Sequence, residues 1–374
     1  MIQFAVYIIT LKLKTSIYMG MKKICVIGPC LKMGGIERSS CNFANSLNEH
    51  GNEVTYIAIF NQPKFFKLDT GIRFKEPLDF NKKSLSLLKT VFWLRKTLKK
   101  EKPDSIFVLN KFYSAIVLLA VAFLRFPVYI SERSSPFFKW DKKINFFNHV
   151  IFRIFPPTGV VAQTSIAMKI QQKFHRKKVK FKVIPNAVRK IKYYNVVKKN
   201  HILAVGRFND PNKGFDRLVE AFSKIRNKEW QLVFAGGDED GNYLKQQAKK
   251  LGVLERIIFL GKVKEIDKVY AESKIFVIPS RSEGFPNALC EAMAAGLACI
   301  SFDFHAGPKD IILHNNNGLL VENNDIEALS QSIDELITDE NKRKHLASNA
   351  LLIRDRLDNV KIGNELTTFL LFEN

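Results

Sequence analysis

The sequence predicts an α/β protein built from two Rossmann-like, doubly wound domains facing a central cleft, and three observations lead there. Short apolar runs alternate with helical stretches from Met21 onward, which implies mostly parallel sheets wrapped by helices. The alternation breaks at a polar, basic stretch, residues 189–200, and then restarts. At 374 residues the chain exceeds one ordinary core, so two domains of average size are expected.

In chain order, the strand candidates of the first unit are 24–27, 54–60, 105–108, 128–131, 159–162 and 182–184. The second unit supplies 202–205, 231–235, 257–260, 275–279 and 298–302, with helical segments at 215–226, 243–251, 267–272 and 326–338 between and after them. In such sheets ligands sit outside the carboxyl ends of the strands, so both units offer strand ends to a shared cleft. Residues 1–20 read differently. Their apolar start is broken by Lys12 and Lys14 and no small-residue cleavage site follows, which makes a poor signal peptide. Met21-Lys22-Lys23 leads directly into the first strand, so 1–20 is expected to be a non-native extension, with translation starting at Met21 or Met19. The expected division is then 21–190 as first domain, 191–200 as linker and 201–355 as second domain.

Apolar content of 46% and charged content of 25% describe a soluble globular protein. The net charge of +23 is unevenly placed: residues 1–190 carry 34 Lys and Arg against 10 Asp and Glu, the remainder 25 against 26. All of the excess lies in the first half, which points to an anionic partner there, nucleic acid or a membrane surface. Five cysteines without CxxC pairs read as reduced core thiols of a cytosolic protein. No apolar run reaches the ~18–20 residues of a membrane span; the longest, 115–126, carries Arg125.

Two glutamates eight residues apart, Glu283 and Glu291, carry the best functional clue. Residues 274–279 read as a buried strand and 288–295 as a helix, so the segment is strand–loop–helix. Glu283 then sits in the loop and Glu291 about one turn into the helix, with the backbone N–H groups of Asn287, Ala288 and Leu289 between them. A helix N-terminus binds phosphate and a carboxylate accepts from sugar hydroxyls, so this pair suits a nucleotide-sugar. Alone, such a pair is more often a solvated loop acid and a surface helix residue. Its company decides otherwise. Strand 202–205 runs into Gly206-Arg207-Phe208 and then Lys213, a bidentate fork and a point charge suited to phosphate oxygens. Phe234-Ala235-Gly236-Gly237 and Phe259-Leu260-Gly261-Lys262-Val263 bring glycine to two further strand ends, where backbone can approach a ligand closely.

This ordered set, VGRFNDPNKGFDRLVEAF (205–222), FAGG (234–237), FLGKV (259–263), PSRSEGFPNALCEAMAAG (279–296) and NGLLV (317–321), resembles the retaining family 4 glycosyltransferases of GT-B fold. The resemblance covers essentially 21–372 and is densest over 200–322. It implies that Arg207 and Lys213 neutralise a donor diphosphate together with the N–H groups around Asn287, Ala288 and Leu289. Glu291 would accept from the ribose hydroxyls and Glu283 would face the donor sugar. The backbone at Gly261, Lys262 and Val263 would contact the base, uracil by family frequency. Gly34 and Gly35, in the turn after the first strand, would close over the diphosphate from the other side. It implies retention of anomeric configuration, with Glu283 preferred as an electrostatic and hydrogen-bonding partner over a nucleophile. A helix at 356–372 is expected to cross back onto the first domain. No metal and no cofactor beyond the UDP-sugar donor is expected.

One departure matters. Many relatives carry a histidine in the first domain near the donor sugar; here Ser131-Glu132-Arg133 stands at the corresponding strand end. Some family members acting on cell-surface polysaccharides share a Ser-Glu-Arg segment, which suggests a subfamily. Two readings of Glu132 stand: it orients or deprotonates the acceptor hydroxyl, or it pairs with Arg133 or a neighbouring lysine.

The basic half has two stretches to weigh. Residues 82–100 place Leu85, Leu88, Phe92 and Leu98 near one face among lysines, and 137–155 mix aromatic and basic residues at helical spacing. Both suit an anionic membrane interface, or ordinary packing with solvated lysines. No helix-turn-helix, zinc finger or ribonucleoprotein motif supports nucleic acid. The expected protein is peripheral at the inner face of a bacterial membrane, glycosylating a lipid-linked or polysaccharide acceptor of lipopolysaccharide or capsule. The rival is a basic membrane- or nucleic-acid-binding protein on a non-catalytic scaffold.

Overall fold

The computed structural model describes residues 21–78, 86–138, 140–175, 178–237 and 241–372. The first half runs β1 (Lys23–Gly28), α1 (Gly35–Glu49), β2 (Glu53–Ala58), β3 (Arg73–Lys75), α2 (Leu87–Glu101), β4 (Ser105–Leu109), α3 (Lys111–Ala120), β5 (Val128–Ser131), α4 (Lys142–Ile154), β6 (Gly159–Ala162), α5 (Ser165–Gln172) and β7 (Lys180–Val183). Its strands pair in parallel in the order β3-β2-β1-β4-β5-β6-β7. Helices cover both faces, so consecutive strand residues are buried on opposite sides. Val26, Phe107 and Tyr129 pack with Phe43 and Leu47 of α1, while Ile27, Val108 and Ile130 pack with Leu94 and Ile116 of α2 and α3.

The second half runs β8 (His201–Val205), α6 (Phe215–Ser223), β9 (Gln231–Ala235), α7 (Asn242–Lys250), β10 (Ile257–Phe259), α8 (Ile266–Glu272), β11 (Ile275–Ile278), α9 (Asn287–Ala294), β12 (Ala298–Phe302), α10 (Pro308–Ile311), β13 (Leu319–Val321), α11 (Ile326–Thr338), α12 (Glu340–Ala350), α13 (Ile353–Arg356) and α14 (Asn359–Leu371). Its six-stranded sheet is β10-β9-β8-β11-β12-β13, again parallel throughout. Strand order reverses at β1/β4 and at β8/β11, and a doubly wound sheet opens its ligand crevice at such a switch point. The α14 helix returns to the first domain: Phe369 sits edge-on to Tyr129 at 5.2 Å, and Asn359 Nδ2 donates to Glu49 at 2.9 Å.

Two strands were not foreseen, β3 and β13. Each is three residues long at or beside a sheet edge, too short for a periodic signal. The α2 helix corrects the expected apolar face. Thr90, Leu94 and Leu98 are buried, with Leu87 and Val91 packed beside them, whereas Leu88 and Phe92 are each 69% exposed. The buried stripe follows the 87, 91, 94, 98 helical spacing; Leu85 lies outside the described residues, as does the whole 1–20 segment. All five cysteines are free and buried, and burial pushes the Cys41 thiol up to about 11. Among the described residues no helix is long and apolar enough to cross a membrane.

Candidate functional site

A cleft of about 440 Å³ opens between the two sheets' strand ends, lined from both domains. On the second-domain side the chain leaves β8 through Gly206 and Arg207, then makes a tight turn over Pro211–Lys213. Asp210 caps that turn, accepting from Asn212 N–H at 3.1 Å. It ends at Gly214, whose φ of 64° is left-handed, and a Cβ there would lie 2.1 Å from the Pro279 carbonyl oxygen. Only glycine lets the turn sit this close to the end of β11. The contact delivers Lys213 Nζ to 2.8 Å from Glu283 Oε1, which also accepts from Ser280 Oγ at 2.7 Å. Arg281 ties the two loops together. Its backbone N–H donates to Asn212, and its guanidinium pairs both oxygens of Asp216 at 2.8 and 2.5 Å, holding that carboxyl below the usual range. Arg207 is freer: its side chain is 72% exposed, and among the described residues its ion pair is a sideways one with Asp210 at 2.7 Å.

Glu291, on α9, is 8% exposed and bridges the domains. Oε1 accepts from Arg38 Nη2 of α1 at 2.8 Å and Oε2 from Arg189 Nη2 at 3.1 Å. Arg189 also donates to both oxygens of Asp267. Burial raises the Asp267 carboxyl, but Arg189 and the Lys192 N–H outweigh it, and the net shift is downward. A buried carboxylate needs such partners.

The helix start corrects one expectation. Asn287 N–H donates to the Phe285 carbonyl at 2.9 Å and Leu289 N–H to Pro286 at 3.0 Å, because the chain tightens into α9 through i→i−2 and i→i−3 bonds. Leu289 is wholly buried and does not line the cleft. Ala288 is the one of the three whose N–H is not turned back onto the chain, and Ala288 and the Asn287 side chain do line the cleft.

The first domain contributes Gly35, Arg38, Ser39, Arg133 and Gln163 to the lining. Gly34 stands one residue behind it, its carbonyl accepting from Arg38 N–H at 2.9 Å. Glu132 takes partners that neither reading of the sequence names. Oε2 accepts from Lys111 N–H at 3.1 Å and Oε1 from Ser134 N–H at 2.8 Å, so its carboxylate caps the start of α3 and pins the next turn. Among the described residues it makes no ion pair with Arg133 or a lysine, and it is absent from the cleft lining. Arg133 is the residue that enters. Gly284 makes this juxtaposition possible: a Cβ on it would lie 2.3 Å from the Arg133 carbonyl and 2.8 Å from Gln163 Nε2. Gly261, Lys262 and Val263 follow the edge strand β10 and are not among the lining residues; the Gly261 carbonyl accepts from Gly236 N–H at 2.7 Å.

Two family models match end to end: Glycosyltransferase Family 4 over residues 33–190 and Glycosyl transferases group 1 over 189–352. The chain is a family 4 glycosyltransferase. It is 29% identical over 341 residues to the Campylobacter jejuni GalNAc-alpha-(1->4)-GalNAc-alpha-(1->3)-diNAcBac-PP-undecaprenol alpha-1,4-N-acetyl-D-galactosaminyltransferase, covering 88% of this chain and 93% of that one. Among solved structures, sucrose-phosphate synthase from Thermosynechococcus elongatus superposes with a TM-score of 0.79 at 19% identity, covering 93% and 98% of the two chains. Anabaena HepE in complex with UDP superposes with a TM-score of 0.77 at 19% identity, covering 94% and 99%. At these identities the two structures establish the GT-B fold.

Sequence reading missed three residues of the glycosyltransferase's cleft and its back wall: Arg38, Arg189 and Asn186. Arg38 lies three residues after Gly35 and Asn186 follows Pro185 near the end of the first domain, while Arg189 opens the polar, basic stretch 189–200. Its bond to Glu291 spans 102 residues, and no local signal marks such a pair. The Gly214 contact gives a direct test. Gly214→Ala is expected to cost about 2 kcal/mol or more, from the left-handed backbone and the clash together, and to lower kcat by displacing Lys213. Denaturant unfolding and turnover, measured side by side, check it.

Proposed function

We propose that this glycosyltransferase moves a sugar, with retention, from a UDP-sugar to a lipid-linked acceptor during lipopolysaccharide or capsule synthesis at the inner face of a bacterial membrane. The observation that carries the reading is the convergence of Arg207, Lys213, Glu283, the start of α9 and Glu291 on one cleft. The UDP in the HepE structure and the undecaprenol-linked acceptor named for the Campylobacter relative support donor and acceptor respectively.

In the reaction the bond from the anomeric carbon to the β-phosphate oxygen breaks and its electron pair stays on that oxygen. The acceptor oxygen bonds to the anomeric carbon, and its proton passes to the departing diphosphate. Negative charge on the diphosphate grows as the sugar becomes oxocarbenium-like, so Arg207, Lys213 and the Ala288 N–H act most strongly in the transition state. These cations do the work a metal would do, which supports a metal-independent step. Glu283 is already bonded to Lys213 and Ser280, an arrangement better suited to hydrogen bonding and electrostatics than to nucleophilic attack. Glu291 would take the ribose hydroxyls with the lone pairs its two arginines leave open.

The basic first domain would bind anionic lipid. Phe146 and Ile154 of α4 are 71% and 59% exposed beside Lys142 and Lys143, and each basic residue near such a surface contributes about 1 kcal/mol. Salt-dependent pelleting with anionic vesicles, compared with gel shift on random DNA, separates this from the nucleic-acid reading.

The deciding experiment is UDP release with a panel of UDP-sugars, with and without EDTA, on wild type and Glu291→Ala. One sugar should support EDTA-resistant release that collapses in the variant. EDTA-sensitive release would bring in Asp238-Glu239-Asp240, an Asp-x-Asp run outside the described residues. No release with any donor, even with membrane extract as acceptor, would overturn the UDP assignment.

A further inference from the structure

Arg133 is a buried cation that forms no ion pair among the described residues. It is 7% exposed, and the carboxylate next to it in sequence, Glu132, is spent on the N–H groups of Lys111 and Ser134. Nη1 donates to Asn186 Oδ1 at 3.1 Å and to the Ile184 carbonyl at 3.5 Å. The guanidinium lies over the Phe43 ring, 4.5 Å from its centroid. Nε and Nη2 meet no acceptor among the described residues. Leaving two donors of a charged group unmet in a buried place is costly, and such a group calls for an explanation, a bound ligand among them.

The surroundings say which ligand. Arg133 lines the same cleft as Arg207, Lys213 and Asn287. Its partner Asn186 donates Nδ2 to Asn287 Oδ1 at 3.0 Å, so the guanidinium stands two hydrogen bonds from the first residue of α9. Its peptide is fixed by Gln163 Nε2, which donates to the Arg133 carbonyl at 3.2 Å, and by the close approach of Gly284. The nearby carboxylates are already engaged, Glu283 with Lys213 and Glu291 with two arginines. No described carboxylate is left to meet Nε and Nη2, and a phosphate oxygen entering the cleft that Arg133 lines is an acceptor of the right charge for them.

We propose that Arg133 is the first domain's ligand for the nucleoside diphosphate, with Nε and Nη2 taking phosphate oxygens that Arg207 and Lys213 approach from the opposite side. The inference rests on the nucleotide-sugar reading and sharpens it: the diphosphate is held from both domains, and the Arg that follows Glu132 is the functional member of that pair. A bidentate fork on a planar guanidinium is well matched to two phosphate oxygens.

The test is calorimetric binding of UDP and of uridine to the full chain, as wild type, Arg133→Met and Arg133→Lys, with melting temperatures of the ligand-free proteins. Arg133→Met should weaken UDP roughly 10- to 100-fold, the range for charge-assisted bonds, and leave uridine unaffected. Its ligand-free melting temperature should hold or rise, since an unmatched buried charge has been replaced by an apolar chain. Arg133→Lys should fall between, keeping a charge and losing the fork. If Arg133→Met does not fold, selective loss of UDP in Arg133→Lys supports the assignment and wild-type UDP affinity there overturns it. Arg133→Met binding UDP like wild type overturns it, as does equal loss of UDP and uridine with a fallen melting temperature. Wild type that binds none of UDP, GDP or ADP overturns the nucleotide-sugar reading and this inference with it.

Discussion

Lys213→Met is expected to lower kcat by about 10²–10³-fold, the range for losing one preorganised group that meets developing charge. Two effects add. The variant loses a cation aimed at the departing diphosphate, and it strips Glu283 of its ion-pair partner. The two side chains are 22% and 14% exposed, so solvent screens the stranded carboxylate poorly, and it then repels the anion the cleft must stabilise. Lys213→Met with Glu283→Gln should therefore recover part of what Lys213→Met alone loses. Steady-state kinetics on the two single variants and the double variant measure this coupling. A raised KM with unchanged kcat would assign Lys213 to uniform binding of donor and transition state, and the proposed electrostatic role would fall.

Much of this machinery could be read without the structure because its parts are local. Arg207 and Glu283 follow a strand signal within a few residues and Lys213 and Glu291 within about a dozen, and parallel strands bring their carboxyl ends to one edge by construction. The 326–338 helix was placed to the residue because its apolar stripe runs undisturbed between Asp325, which caps it, and Asp339. Local pattern is silent on what crosses between domains. The Arg38–Glu291 bond joins residues 253 apart, and the Arg133 pocket exists only because Gly284 lets two loops touch. The backbone partners of Glu132 are hidden from the sequence for a related reason. A carboxylate at a strand end can face the cleft or turn back to cap the following helix, and the choice depends on the backbone of Lys111 and Ser134, which no spacing rule reveals. The first turn of α9 was read as free donors, whereas Pro286 tightens it and uses two of the three N–H groups internally.

Glu291→Ala should produce the second large effect, and its two consequences separate. The carboxylate holds Arg38 from α1 and Arg189 from the basic stretch between the two sheets. Arg189 keeps Asp267 when Glu291 is lost, but Arg38 has no other ion pair among the described residues. Removing the central carboxylate is expected to cost about 3 kcal/mol of stability, as for breaking a largely buried pair from one side, and thermal unfolding measures it. Donor affinity should fall for a different reason, the loss of an acceptor for ribose hydroxyls, each charge-assisted bond being worth about 1.5–3 kcal/mol. Comparing UDP with 2′,3′-dideoxy-UDP isolates that contribution. Wild type should prefer UDP by roughly 100-fold and Glu291→Ala should not discriminate, because the hydroxyls then meet no carboxylate. Arg38→Met should lower stability yet keep the preference, since Arg189 still orients Glu291. A Glu291→Ala protein that still prefers UDP would mean that the ribose is read elsewhere and that Glu291 serves only to clasp the domains.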